Sequence, residues 1–343
     1  MKEFDLAKNL KPIRYHVLAS VLFHFLHKGI HNEIKLNGKC TVEYLTKKLF
    51  INEKILNGIL TYLKNEKYIK VNKLKEFQLT KKCEGLDLYK PWYDLLIGGY
   101  SNTFYQISDL LDSKIKYATR NDELVGIGSC GISKFDAIPM TLELISRVDH
   151  SIDFLIDFGC GDGSFLIELC SSMKNVNGIG LDPEQKSIDK GNFYLLESGL
   201  KERVSFIKGT INEISKLGNT DSELKNVCFI AAFVLQEVLE QTGEESIIEF
   251  LTKLFTIYPN AAFVIIEVDN KFNDREIFKN DLALSYYNPY FLLHTLTKQR
   301  LVEKSFWVKL FEKSGLVVNH YVYPSSNYDS LELKIGFLLT KKV

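Results

Sequence analysis

The segment from residue 153 to residue 183 constrains the fold of this chain more than any other. It reads D-F-L-I-D-F-G-C-G-D-G-S-F-L-I-E-L-C, then a helix-length stretch, then G-I-G-L-D-P. An apolar strand, Phe154–Phe158, is predicted to enter a turn with three glycines, and a helix and a second strand ending in Asp182 follow. Glycine lets a backbone approach a bound ligand closely, and the acid is placed to hold ribose hydroxyls. The segment therefore predicts an α/β domain that binds a ribose-containing ligand.

The spacing of the glycines separates two classes of ligand. A dinucleotide site needs G-x-G-x-x-G, but Ser164 stands at the sixth position from Gly159 and the third glycine comes one residue early, at Gly163. D-F-G-C-G-D-G instead resembles motif I of the class I S-adenosylmethionine (SAM) methyltransferases, whose ligand has no pyrophosphate. The resemblance implies a Rossmann-like seven-stranded sheet with SAM as cofactor. An ordinary glycine-rich turn in another α/β protein is the alternative.

The same resemblance assigns cofactor contacts to particular residues. They are Asp157, Gly159, Gly161, Gly163 and Asp182. The glycines would pass under the methionine part of SAM, the first acid would lie near its amino group, and the second would accept hydrogen bonds from both ribose hydroxyls. Many relatives have an acid at the end of the third strand, but this chain reads K-G-T-I-N there. Adenine recognition would then fall to Thr210, Ile211 or Asn212.

Length and composition limit the alternatives. A chain of 343 residues exceeds one average domain, so two domains are expected. The formal net charge of zero gives no overall reason to expect nucleic acid, although residues 1–95 carry 18 Lys and Arg against 10 Asp and Glu. We expect no signal peptide, because the opening M-K-E-F-D-L-A-K-N-L-K lacks an apolar core. We also expect no membrane segment, because no run of about 18 apolar residues occurs. Six cysteines without a C-x-x-C pair indicate buried, reduced thiols in a cytoplasmic protein.

The first 95 residues have the pattern of a winged helix. Helices are predicted at 12–30, from a cap at Thr41, and at 51–65, and a short hairpin is predicted around Asn72–Lys73. This order resembles the dimerisation module of small-molecule O-methyltransferases, which implies a homodimer. Contact with DNA is the alternative reading.

The rest of the chain is interpreted as two segments. Residues 96–150 are a helical linker that contributes to the substrate cleft, and residues 151–343 are the SAM-binding domain. Predicted strands lie at 153–158, 177–181, 204–208, 226–233, 261–268, 316–323 and 333–340, with helices between most of them. The last two strands are expected to form an antiparallel hairpin.

The fourth predicted strand leads into a catalytic candidate. It ends A-A-F-V-L-Q-E-V-L-E, where O-methyltransferases of the plant type have a histidine general base followed by an acid. Gln236 stands in the histidine's place, and glutamine cannot take up a proton at any useful pH. Gln236 either orients a substrate or only bonds a helix end. Glu237 is the nearest titratable candidate.

Three further motifs sharpen the resemblance. They are G-G-Y at 98–100, G-I-G-S-C-G-I-S with F-D-A-I-P at 126–139, and Y-Y-N-P-Y-F-L-L-H at 286–294. Together they resemble the 2-ketoarginine methyltransferase group, which is akin to the phenylpyruvate methyltransferases, from about residue 90 to the end. The resemblance implies methyl transfer from SAM to C3 of a 2-oxo acid through an enol or enolate.

This resemblance also implies contacts for the substrate and for a metal. Arg120 would pair bidentately with the substrate carboxylate, unless it is only a surface arginine. Phenylpyruvate relatives hold a metal at the places of Gln236, Glu237 and His294. Iron or zinc bound by Glu237 and His294 would act as a Lewis acid on the enolate. Without a metal, His294 would bond the keto oxygen, or would be a core histidine.

Aromatic and acidic residues complete the list of candidates. Tyr286, Tyr287, Tyr290 and Phe291 are expected either to line the substrate site or to belong to the core. A cationic substrate tail would need an acid, and Asp136 and Glu267 are the candidates. Two other functions stay open: an O- or N-methyltransferase acting on another small molecule, and a SAM-binding regulator without catalysis.

Overall fold

A computed structural model describes residues 2–210 and 225–342. Contacts between residues divide the chain into two compact units, Met1–Ser101 with Ile127–Ser129, and Asn102–Gly126 with Cys130–Val343. Two of the predicted adenine contacts, Ile211 and Asn212, lie outside the described residues. None of the described helices combines the length and the apolar character needed to cross a bilayer.

Among the residues that the structure describes, helices occupy most of the chain outside the sheet. The α-helices are α1 Glu3–Asn9, α2 Lys11–His27, α3 Ile30–Asn37, α4 Val42–Leu49, α5 Glu53–Asn65, α6 Lys90–Tyr93, α7 Ser101–Tyr105, α8 Ile107–Leu111, α9 Asp122–Ser133, α10 Ala137–Ile145, α11 Ser164–Ser172, α12 Gln185–Ser198, α13 Leu235–Thr242, α14 Glu244–Ile257, α15 Asn288–Leu296 and α16 Lys304–Lys313. Short 3-10 turns lie at Lys81–Cys83, Leu86–Tyr89 and Ile277–Lys279, and π-helical turns at Asp94–Gly99 and Ala283–Tyr287.

The first unit is built from helices and one hairpin. Strands β1 Ile69–Val71 and β2 Phe77–Leu79 pair antiparallel, and the hydroxyl of Thr41 caps α4 by accepting the backbone N–H of Tyr44 at 3.2 Å. A core of buried apolar side chains joins the helices to the hairpin. Gly128 belongs to this unit as well, because a Cβ there would lie 2.5 Å from the backbone nitrogen of Leu95.

Seven strands of the second unit form one mixed sheet. They are β3 Phe154–Phe158, β4 Asn177–Asp182, β5 Val204–Lys208, β6 Val227–Ala232, β7 Ala262–Val268, β8 Leu316–Val322 and β9 Lys334–Lys341. Their order across the sheet is β5-β4-β3-β6-β7-β9-β8. The first five in that order are parallel, and β9 pairs antiparallel with both β7 and β8. The predicted α/β class, the seven strands and the terminal antiparallel hairpin are confirmed.

Buried apolar residues cover both faces of this sheet. One cluster joins β6 and β7 to α14 and α16, and the other joins the opposite face to α10, α11 and α12. Strands buried on both faces explain the nearly continuous apolar runs in the sequence. Because β3, β4, β6 and β7 are parallel, their carboxyl ends meet at one edge of the sheet. Ligands bind at this edge in open α/β folds.

Candidate active site

The turn after β3 needs glycine at three positions. Gly159, Gly161 and Gly163 have φ of 69°, 54° and 73°, in the left-handed region that favours glycine. A Cβ would lie 2.6 Å from Val234 at Gly159 and 2.3 Å from Phe206 at Gly163, whereas at Gly161 the nearest atom is 3.9 Å away. The outer glycines are thus required by packing, and the middle one leaves an open backbone face of the kind a ligand can approach.

Asp182 holds this turn from the neighbouring strand. Its Oδ2 accepts the backbone N–H of Gly161 at 3.0 Å, and its Oδ1 accepts that of Glu184 at 2.9 Å. Burial raises the pKa of Asp182, although the two N–H donors oppose the shift. Asp157 is also buried, and burial and then the nearby Asp182 raise its pKa well above the usual range. Both acids lie at the glycine turn, as the sequence predicts.

Thr210 follows β5 and is exposed. Because Ile211 and Asn212 lie outside the described residues, only this member of the predicted adenine set has a described position.

Gln236 and His294 meet beside the first turn of α13. Both are buried, and Nε2 of Gln236 lies 3.5 Å from Nε2 of His294. Nδ1 of His294 donates to the carbonyl oxygen of Tyr290 at 2.8 Å, so Nε2 is the unprotonated nitrogen. Burial lowers the pKa of His294 to about 3, helped by the charge of Arg120. His294 is therefore neutral at physiological pH and a weak base.

Glu237 is engaged by two donors. Its Oε1 accepts Nη2 of Arg120 at 2.8 Å and Nε2 of Gln299 at 2.9 Å. Arg120 also donates from Nε to Asp122 at 2.6 Å, and its side chain is 17% exposed. Arg120 is thus a largely buried member of the cluster that contains Gln236 and Glu237, while it also pairs with its neighbour Asp122.

This cluster does not fit the predicted metal. Within residues 2–210 and 225–342, no three His, Cys, Asp or Glu side chains are grouped as metal ligands would be. Glu237 already accepts two hydrogen bonds through one oxygen, and Nε2 of His294 faces the amide nitrogen of Gln236. The prediction of iron or zinc has no support in this geometry, and no step below uses a metal.

Glu267, one of the two acids suggested for a cationic tail, supports the α13 turn. It is fully buried at the end of β7, and its Oε1 accepts the backbone N–H groups of Leu235 at 2.9 Å and Gln236 at 3.3 Å. Burial raises the pKa of Glu267 to about 8, although these two donors lower it. Its carboxyl fixes the backbone that carries Gln236 and Glu237.

Asp136, the other suggested acid, belongs to a buried polar cluster. It forms an ion pair with Lys334 at the start of β9 and accepts the backbone N–H of Ala137, which begins α10. The Lys334 ammonium also lies 5.1 Å from the centre of the Tyr286 ring. No sequence pattern singles out Lys334, because 198 residues separate it from Asp136.

The four aromatic residues suggested for the substrate site are all buried: Tyr286, Tyr287, Tyr290 and Phe291. Tyr287 donates its hydroxyl to the buried Asp329, and burial together with that carboxylate raises the pKa of Tyr287 well above its usual value. The ring of Tyr290 contacts that of His294, with ring centres 3.9 Å apart and ring planes tilted by 36°. Asp329 was not predicted from sequence, since it lies in a polar turn without a motif.

Comparison with known proteins agrees with this architecture. The sequence profile of a family described as "Methyltransferase domain" matches residues 149–284. A curated protein named 2-ketoarginine methyltransferase, from Streptomyces arginensis, is 36% identical over 99% of this chain and 97% of its own length. Mitomycin 7-O-methyltransferase has the same fold with a TM-score of 0.65, 14% identity and 98% coverage of both chains. Human N-acetylserotonin methyltransferase in complex with SAM has a TM-score of 0.67, 12% identity and coverage of 100% and 99%.

Proposed function

We propose that this chain, which belongs to the SAM-dependent methyltransferases that include 2-ketoarginine methyltransferase, methylates C3 of a 2-oxo acid. The proposal rests on one observation: the side chains of Gln236 in α13 and His294 in α15 can bind an oxygen atom but are weak bases. Gln236 does not titrate, and burial holds the pKa of His294 at about 3. A hydroxyl nucleophile would need a base at this place, whereas the enol form of a 2-oxo acid already has a nucleophilic carbon.

The chain's contribution is to bind and to position. When bound, SAM supplies an electrophilic methyl group. The open backbone face at Gly161, and the carboxyl groups of Asp157 and Asp182 at the same turn, are the groups that would hold it. Holding two reactants in the right geometry lowers the barrier without any covalent step by the protein.

Arg120 is our candidate for the substrate carboxylate. Nη2 of its guanidinium donates to Glu237, and its positive charge helps to lower the pKa of His294. A planar guanidinium has several N–H donors, so Arg120 can donate to Glu237 and to a substrate carboxylate at the same time. In this proposal, the acid end of a 2-oxo acid lies beside Gln236 and His294.

A cationic tail of the 2-ketoarginine type would suit the buried cluster at α10 and β9. Two carboxylates, Asp136 and Asp329, are buried there with one ammonium, that of Lys334. The start of β9 lies two strands from the end of β6, about 10 Å in sheet spacing. That is the scale of an extended guanidinium side chain with its hydrogen bonds.

We further propose that the first unit is a winged-helix-like dimerisation module within residues 1–95. Helix α1 buries no residue, and Phe4 and Ile13 are 77% and 61% exposed. A second copy of the chain would cover this apolar surface.

The six cysteines are free thiols, which suits a reducing, cytoplasmic location.

The test is mass spectrometry of reactions with SAM and a panel of 2-oxo acids that includes 2-ketoarginine and phenylpyruvate. We expect a gain of one methyl group, located at C3 by NMR, and the same yield with a chelator present. SAM binding without product from any 2-oxo acid would contradict the proposal.

A further inference from the structure

The amide of Gln236 has a fixed orientation. Its nitrogen approaches two acceptors, the unprotonated Nε2 of His294 at 3.5 Å and the carbonyl oxygen of Phe233 at 3.4 Å. Rotating the amide by half a turn would put its oxygen against both of these acceptors. Because His294 donates from Nδ1 to Tyr290, it cannot offer Nε2–H to relieve that repulsion.

The oxygen of the same amide has no donor. Oε1 of Gln236 is buried and makes no hydrogen bond with any of the described residues. A buried amide oxygen without a donor is costly, and such atoms in native proteins are usually satisfied by water or a ligand. Glu267 holds the backbone of Gln236, and the two contacts of the amide nitrogen orient the side chain and with it this oxygen.

We propose that Oε1 of Gln236 binds the C2 hydroxyl of the substrate's enol form, which makes Gln236 a specificity-determining residue for the enol tautomer. The inference rests on the proposed function. An enol carries an O–H donor that fits the amide oxygen, whereas a keto oxygen is only an acceptor and would be repelled by it. Gln236 therefore raises the bound fraction of the tautomer whose C3 is nucleophilic.

This role also explains a glutamine where a histidine base would otherwise stand. A base would remove a hydroxyl proton, but an amide only accepts its hydrogen bond and leaves the proton on oxygen until the methyl group is transferred. The enol is thereby kept neutral in a site where His294 is neutral too. When C3 bonds to the methyl group, the C–S bond of SAM breaks and S-adenosylhomocysteine leaves. The O–H proton of the resulting protonated ketone is then released to water.

The test compares two inert ligands that differ only at C2. They are the 3,3-dimethyl analogue of 2-ketoarginine, which cannot enolise, and its 2-hydroxy counterpart. Calorimetry in the presence of saturating S-adenosylhomocysteine gives both dissociation constants. We expect the wild type to bind the hydroxy acid about tenfold more tightly, the effect of one buried hydrogen bond.

Variants separate this effect from the different shapes of the two ligands. Gln236→Met, which has no acceptor oxygen, should lose the preference and keep its affinity for S-adenosylhomocysteine. Gln236→Glu, which burial keeps protonated so that its O–H can replace the amide nitrogen toward His294, retains an acceptor oxygen and should keep the preference. Gln78→Met, in β2 of the first unit, is the matched control and should behave as the wild type.

Two results would overturn the inference: equal affinities of the wild type for the two ligands, or an unchanged preference in Gln236→Met. If Gln236→Met does not fold, the wild-type ratio and Gln236→Glu still decide. Failure of the proposed function itself would look different, because the wild type would then give no C3-methylated product from any 2-oxo acid.

Discussion

The backbone N–H of Gly161 donates to Oδ2 of Asp182 at 3.0 Å, so the acid that ends β4 holds the turn that ends β3. Asp182 ends β4, and Gly161 lies in the turn that follows β3, the parallel neighbour of β4. The conformation of the glycine turn and the position of the carboxylate are therefore linked, and a change in either should alter both.

Replacing Asp182 by Asn should weaken cofactor binding. The amide keeps only one acceptor, so either Gly161 or Glu184 loses its bond and faces an NH₂ group instead. We expect affinity for S-adenosylhomocysteine, measured by calorimetry, to fall by about tenfold or more. Asp189→Asn, on the exposed side of α12, is the control; equal affinities in the two variants would contradict this account.

Replacing Gly163 by Ala should destabilise the second unit. The new Cβ would lie 2.3 Å from Phe206, at a backbone φ of 73°. We expect a loss of about 3 kcal/mol in the free energy of unfolding, from strain and overpacking together. Gly199→Ala has nearly the same φ, 72°, but nothing within 4 Å, so it should lose only about 1 kcal/mol. Similar losses in denaturant unfolding would show that packing against Phe206 is not the cause.

Replacing Arg120 by Lys should affect the substrate more than the cofactor. A lysine cannot reproduce the forked contact with a carboxylate while it also bonds Glu237. We expect the KM for the 2-oxo acid to rise about tenfold, with unchanged affinity for S-adenosylhomocysteine. Arg147→Lys, an exposed arginine paired with Glu143, should change neither. A fall in kcat alone would assign Arg120 a different role.

Glu267 should make stability depend on pH. Its folded pKa of about 8 exceeds the unfolded value of about 4.3, so between these values the folded state holds a proton that the unfolded chain releases. Wild-type stability should therefore fall as pH rises from 5 to 8. Glu267→Gln keeps an acceptor for α13 but does not titrate. Its stability relative to the wild type should rise by up to about 1.4 kcal/mol per pH unit in denaturant unfolding, and a constant difference would refute the shift.

The proposed dimer can be tested at α1 and α2. Light scattering should give twice the chain mass for the wild type, and Phe4→Asp with Ile13→Asp should shift it toward the monomer. Leu74→Asp changes an apolar residue that is 73% exposed in the hairpin turn, and it should leave the dimer intact. A monomeric wild type would contradict the proposal.

The sheet was predictable because its strands are apolar on both faces and end in recognisable turns. Local patterns also predict Thr41 as a helix cap and a glycine turn at 159–163. The pairing of Arg120 with Glu237 and of Lys334 with Asp136 was not predictable, because 117 and 198 residues separate the partners and no motif links them. A weak sequence signal marks Glu267 as a structural residue, because a charged residue inside the apolar run V-I-I-E-V needs a buried hydrogen-bond partner. The metal ligands carried over from relatives have no support in the structure, because the geometry of neighbouring side chains is not a property of single positions.

The place of β9 within the sheet has a consequence for the synthesis of this chain on the ribosome. It is synthesised after the other six strands, yet it lies between β7 and β8 and is antiparallel to both. Until residues 334–341 leave the ribosome, β7 offers an apolar edge of unpaired backbone groups. The nascent chain must therefore keep that edge from pairing with other chains, and the catalytic domain completes its sheet only once its last strand has been released.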